Sequence, residues 1–213
     1  MSGYLADVTA LARTDLRLEL RSRDTLPAML LFVISALVVF RFSLPAGSSD
    51  LAASGLLWIA VVFTALLGLT RAFVAEREQR VLDGLVLATS DRSAIWLGKA
   101  ISVLAFLVLA ELIALPAFAL FFAPVTWPML AGFVLADAGI AAVGTLLSAM
   151  AAATRARELL LPLLFLPLAI PIVIGGVGAS VEPEPGRYLA FLGIYDLLFA
   201  ILAWASFEYV VTE

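Results

Sequence analysis

The chain has 213 residues, 63% of them hydrophobic and only 14% charged, with a formal net charge of −4 and a mean hydropathy of +1.10. Soluble domains carry about a quarter charged residues, so an ordinary soluble fold is excluded. Neither cysteine nor histidine occurs, which removes disulfides, thiol chemistry, the usual nitrogen or sulfur metal sites and haem held by His or Cys ligands.

The length admits about six helical spans of roughly 20 residues and leaves no room for a separate catalytic domain. The apolar runs lack the alternation of a barrel strand, so an all-α membrane protein is predicted. Residues 4–21 read as an amphipathic helix. Leu5, Val8, Ala12, Leu16 and Leu20 form an apolar row beside Arg13, Arg17 and Arg21, a pattern suited to a membrane surface with basic side chains reaching anionic headgroups. A solvated juxtamembrane face is the plainer alternative. Asp7, Asp15, Glu19 and Asp24 interrupt the arginines and make a poor leader sequence, so the first span is expected to be retained.

Spans are predicted at about 26–42, 54–74, 98–122, 129–153, 159–178 and 189–211, with residues 1–25 as the interfacial segment. Counting Arg71 and Lys99, which stand at span ends, with the link between spans 2 and 3, all but Arg41 and Arg187 of the 13 basic residues lie before span 1, in that link or between spans 4 and 5. The excess of basic residues on the cytoplasmic side then places both termini in the cytoplasm. The longest polar link, residues 75–97, is cytoplasmic on the same count. Within it Glu76, Arg77, Glu78 and Arg80 precede Val81, Leu82, Leu85 and Val86, with Asp83 among them. That spacing predicts a short helix with one apolar side, fit either for a groove on a cytoplasmic partner or for resting on lipid. Thr89 to Ser93 supply N-cap chemistry, and Trp96 and Lys99 are expected to anchor span 3 at the interface.

No phosphate-binding Gly-x-x-x-x-Gly-Lys-Ser/Thr loop occurs, and without histidine most catalytic constellations are absent. A non-catalytic membrane subunit is expected. Glu111, Asp137 and Asp196 fall inside spans, where an acid costs a few kcal/mol and is a functional candidate by default. The plain alternative is a protonated acid hydrogen-bonded to a neighbouring helix, and Asp196 could lie near an interface. Pro162, Pro167 and Pro171 crowd span 5 and are read as shaping the bundle, with gating as the alternative.

The stretch from Glu76 to Lys99 resembles the link after the second span in type-2 ABC exporter (ABC-2) permeases, whose pattern runs Asp-Gly-Ser/Thr-Leu-Glu-x-Leu. Here Gln79-Arg80-Val81-Leu82-Asp83-Gly84-Leu85 keeps the acid and both leucines and has Arg80 in place of the glycine. Together with Arg17-Leu-Glu-Leu-Arg21 and the proline-spaced run from Leu161 to Pro171, the whole chain is similar to the CcmB family of cytochrome c maturation permeases. The resemblance implies an ABC-2 permease fold in a bacterial inner membrane, with residues 76–88 as a coupling helix. It implies ATP on a CcmA-like ATPase, a haem-handling CcmC-like membrane subunit, a small CcmD-like subunit and a periplasmic CcmE-like haem chaperone. It further implies no cofactor bound directly by this chain, haem handled by the complex, and no nucleic-acid partner. Three other readings stay open: an ABC-2 permease for another hydrophobic or lipid-linked substrate, a non-transporting scaffold, and a proton-coupled carrier using Glu111 and Asp137.

Overall fold

The computed structural model describes residues 2–22, 25–45, 49–72, 91–152, 154 and 156–212. The predicted coupling helix, with Glu76, Arg77, Glu78, Arg80, Val81, Leu82, Asp83, Leu85 and Val86, lies outside the described residues. The described residues form seven helices: α1 (Ser2–Ser22), α2 (Thr25–Ser43), α3 (Asp50–Leu69), α4 (Ser93–Phe121), α5 (Trp127–Ala152), α6 (Arg157–Val181) and α7 (Pro185–Thr212). Helices α2 to α7 are each long and apolar enough to cross a membrane, so the chain is a multi-pass membrane protein.

Local chemistry sets several ends. Ser49 caps α3, its Oγ accepting the Ala52 N–H at 3.3 Å with Asp50 in the first turn, so the span starts four residues before the predicted position 54. Asp91 Oδ1 accepts the Ser93 N–H at 2.9 Å, which begins α4 five residues before the predicted 98. Pro185 opens α7, a position where the missing N–H costs nothing. All three prolines of span 5 sit inside one continuous α6. Each leaves a carbonyl one turn earlier without its helical donor. In this stretch Tyr195 Oη donates to the Leu168 carbonyl at 2.8 Å, bracing α6 against α7.

Successive spans run antiparallel. Met29 faces Gly68 across α2 and α3, Trp96 reaches Ala142 across α4 and α5, and Gly175 and Gly178 meet Leu192 and Tyr188 across α6 and α7. Helix α5 is the centre, packing against α4, α6 and α7 and more lightly against α3. Its small inward residues, including Gly132, Ala136, Gly139 and Gly144, let backbones approach closely, which is how helices associate where lipid offers no hydrophobic drive.

The densest junction surrounds Trp58 of α3. Its indole is fully buried, stacks on Phe133 of α5 at 4.3 Å and donates from Nε1 to Ser180 Oγ of α6 at 3.1 Å. Gly176 lies flat against the ring, where a Cβ would stand 2.5 Å from ring carbons. Glycine is therefore required at that approach.

Candidate functional site

At one end of the bundle, where α3 ends and α4 begins, α1 runs parallel to the first half of α4. Tyr4 Oη meets Ser93 Oγ at 3.2 Å, and Ser102 Oγ donates to the Ala12 carbonyl at 3.3 Å and the Gly98 carbonyl at 3.1 Å. At Gly98 a Cβ would come within 2.9 Å of the Leu11 Cβ, so the missing side chain brings the two backbones together. Lys99 Nζ sits 2.9 Å from Asp15 Oδ2, with both side chains mostly out of solvent. Lys99 is thus a buried ion-pair partner rather than the expected interfacial anchor. Trp96 departs in the same way. It is buried in a small cluster with Ile95, Ala149 and Phe207, and its Nε1 donates to the Ala142 carbonyl at 3.2 Å.

On α1, Val8 and Ala12 are buried and Leu16 is half-buried, whereas Leu5 and Leu20 of the predicted apolar row are exposed. The departure follows from α4: the buried face of α1 is the one that meets Gly98 and Ser102. Arg13, Arg17 and Arg21 point outward.

Deeper in the bundle the structure brings Glu111 of α4 and Asp137 of α5 together. Both residues are buried, and their carboxyl groups interact across the helix pair. Glu111 also borders a small void shared with Val33, Val61 and Thr64. Beyond the facing carboxyl itself, Glu111 Oε1 and both Asp137 oxygens have no hydrogen-bond donor among the described residues. Buried carboxyl oxygens without donors are costly and call for an explanation. Two facing carboxyls can share a proton or take up a small cation, and either event changes the α4–α5 attraction.

Asp196 is not part of this pair. Its Oδ1 lies where a Cβ on Gly139 would stand 2.5 Å away, near the midpoint of both α5 and α7. Residues 137 and 139 project about 200° apart around α5, so Asp137 turns toward α4 and Gly139 toward α7. Asp196 is therefore a mid-span acid rather than an interfacial one, and its two oxygens also lack a donor among the described residues. Among the described residues no cluster of three or more acids suits a metal ion.

The sequence reading missed the Asp15–Lys99 pair and the buried hydroxyls of Thr25, Ser54 and Thr145, none of which has a hydrogen-bond partner among the described residues. A signal for the first was present: Lys99 is the sole lysine, and Asp15 stands among arginines on the helix that meets it.

The chain is 31% identical over 172 residues to heme exporter protein B of Rhodobacter capsulatus, covering 78% of this chain and 79% of that protein. It is 30% identical to the Bradyrhizobium diazoefficiens protein of the same name, over 81% of this chain and 80% of the relative. The Paracoccus denitrificans protein of that name is 30% identical over 93% of this chain and 94% of the relative. The CcmB protein family model matches residues 6–207, nearly the full length of the six-span bundle, and the chain belongs to the CcmB family.

Proposed function

We propose that the chain is the membrane subunit of an ABC-type complex for cytochrome c maturation, coupling ATP hydrolysis on a separate ATPase subunit to haem handling. The observation that carries this reading is the near-full-length family match together with relatives named heme exporter protein B. The lack of a phosphate-binding loop agrees with ATP hydrolysis on another chain, CcmA-like in type. The bundle would follow the ABC-2 permease fold and sit in a bacterial inner membrane beside CcmC-like and CcmD-like subunits, serving a CcmE-like periplasmic chaperone. With neither His nor Cys in the chain, haem export would depend on apolar packing. That favours the form in which ATP energy releases a haem-loaded chaperone.

Sidedness follows from charge. Arg13, Arg17, Arg21, Arg71, Arg92 and Lys99 belong to the bundle end where α3 finishes and α4 starts, while Arg41 and Arg187 belong to the opposite end. The first end is then cytoplasmic, and the 76–88 segment, which joins α3 to α4, faces the ATPase with Leu82 and Leu85 as its apolar knobs. Charged replacements at both, Leu82→Asp with Leu85→Asp, are expected to abolish co-purification of the ATPase subunit and assembly of cytochrome c. Co-purification at the wild-type level would remove the coupling-helix assignment.

A further inference from the structure

A cleft opens at the same bundle end between α1, α2, α3 and α4. It holds about 600 Å³ of space free of atoms, part of it open to solvent. Its inner wall is apolar, formed by Met29, Ala65, Phe106 and Leu107 together with neighbouring small residues. Its rim is polar and carries Thr25, Arg71 and the Asp15–Lys99 pair. No role in the proposed export or coupling uses this cleft.

Three features of the rim converge on an anion. Thr25 is the first residue of α2, so the first-turn N–H groups of a 19-residue helix start there without partners inside it. Thr25 is 3% exposed and borders the cleft, and its hydroxyl has no hydrogen-bond partner among the described residues. Arg71 supplies a guanidinium on the facing element, exposed at the mouth. Asp15, the one acid lining the cleft among the described residues, stands 2.9 Å from Lys99, so the described lining residues together carry one net positive charge, supplied by Arg71 at the mouth.

The depth and the wall select among anions. Thr25 and Arg71 mark the ends of spans α2 and α3, the level at which lipid headgroups lie. A hydrated ion gains nothing from the apolar inner wall, whereas an alkyl chain does, at about 0.8 kcal/mol per buried methylene. Arg13, Arg17 and Arg21 stand exposed on α1, the helix whose Asp15 and Leu18 line the cleft, and would enrich anionic lipid locally.

We infer that this cleft is a binding site for a single anionic phospholipid, its phosphate held by Thr25, the α2 N-terminus and Arg71 and one acyl chain lying along Met29, Phe106 and Leu107. Such a lipid would wedge α1 against α2 and α3 and so fix the seat of α1 on the bundle. The inference does not depend on what the complex exports.

Native mass spectrometry of the purified full-length chain in mild detergent tests it, with phosphatidylglycerol, phosphatidylcholine and inorganic phosphate added separately. Phosphatidylglycerol is expected to be retained about tenfold better than phosphatidylcholine, a difference of about 1.4 kcal/mol. Arg71→Gln should remove most of that preference and the isosteric Thr25→Val about a threefold part of it, since charge-assisted bonds are the stronger kind. Arg187→Gln, at the other end, should leave it unchanged. Equal retention of the two lipids, or the same loss in Arg71→Gln as in Arg187→Gln, would overturn the site. Displacement of phosphatidylglycerol by millimolar inorganic phosphate would overturn the lipid assignment in favour of a soluble anion.

Discussion

Two buried polar pairs join α4 to its neighbours, and they are opposites. Asp15 and Lys99 are unlike charges 2.9 Å apart at the end of the span. Glu111 and Asp137 are two acids in mid-bundle whose oxygens mostly lack donors among the described residues. The first satisfies its members where α1 meets α4, as a structural contact must. The second sets two acids against each other in mid-bundle with no donor from outside the pair among the described residues, and natural structures keep such arrangements mainly at functional sites. Opposite charges in the first case and two like acids in the second separate a staple from a candidate working site.

The contrast breaks most visibly at Lys99. Replacing it with Met keeps the length of the side chain and leaves the Asp15 carboxylate buried without that ammonium. Removing one member of a fully buried pair costs about 3–5 kcal/mol, and since both side chains retain some solvent contact the low end, about 3 kcal/mol, is expected. Thermal unfolding in detergent would show it as a marked drop in midpoint. The double variant Asp15→Leu with Lys99→Met should recover most of the loss. A single variant as stable as the parent would mean that the pair does not hold α1 in place.

The acid pair should behave in the reverse manner. Glu111→Gln or Asp137→Asn keeps the shape and adds an amide N–H that can donate to the facing carboxyl oxygen. Stability is expected to hold or rise by about 1 kcal/mol, while cytochrome c yield in cells drops several-fold. An unchanged yield at raised stability would reduce the pair to a structural feature.

These two pairs also mark how far a linear reading reaches. The six spans were legible because a bilayer demands about 20 apolar residues per crossing, and Ser49 and Asp91 show why helix starts moved outward from the hydropathy limits: a polar side chain that accepts a first-turn N–H, not greasiness, sets where the helix begins. Glu111, Asp137 and Asp196 were legible as acids at depth. Their azimuth was not. That Glu111 meets Asp137 while Asp196 turns to Gly139 depends on how α4, α5 and α7 rotate against one another, and apolar composition leaves that rotation unspecified. The same gap explains Trp96 and Lys99. Both residue types anchor membrane interfaces, yet α1, α5 and α7 close over them here, a tertiary effect that neighbours in sequence do not report.

A third pair sharpens what makes the first a staple. Arg92 Nη1 lies 3.0 Å from Glu208 Oε1, almost the same separation as Lys99 from Asp15, and it also links the N-terminal end of α4 to another helix. Its side chains are 37% and 66% exposed, so water competes for both charges and salt screens them. Arg92→Ala is therefore expected to shift stability by less than about 0.5 kcal/mol, with the residual effect fading as salt rises. Measured beside Lys99→Met under the same detergent and ionic strength, the two variants compare ion pairs of nearly equal separation and very different burial. Equal losses from both would show that contact geometry, and not removal from water, determines how firmly these helices are tied.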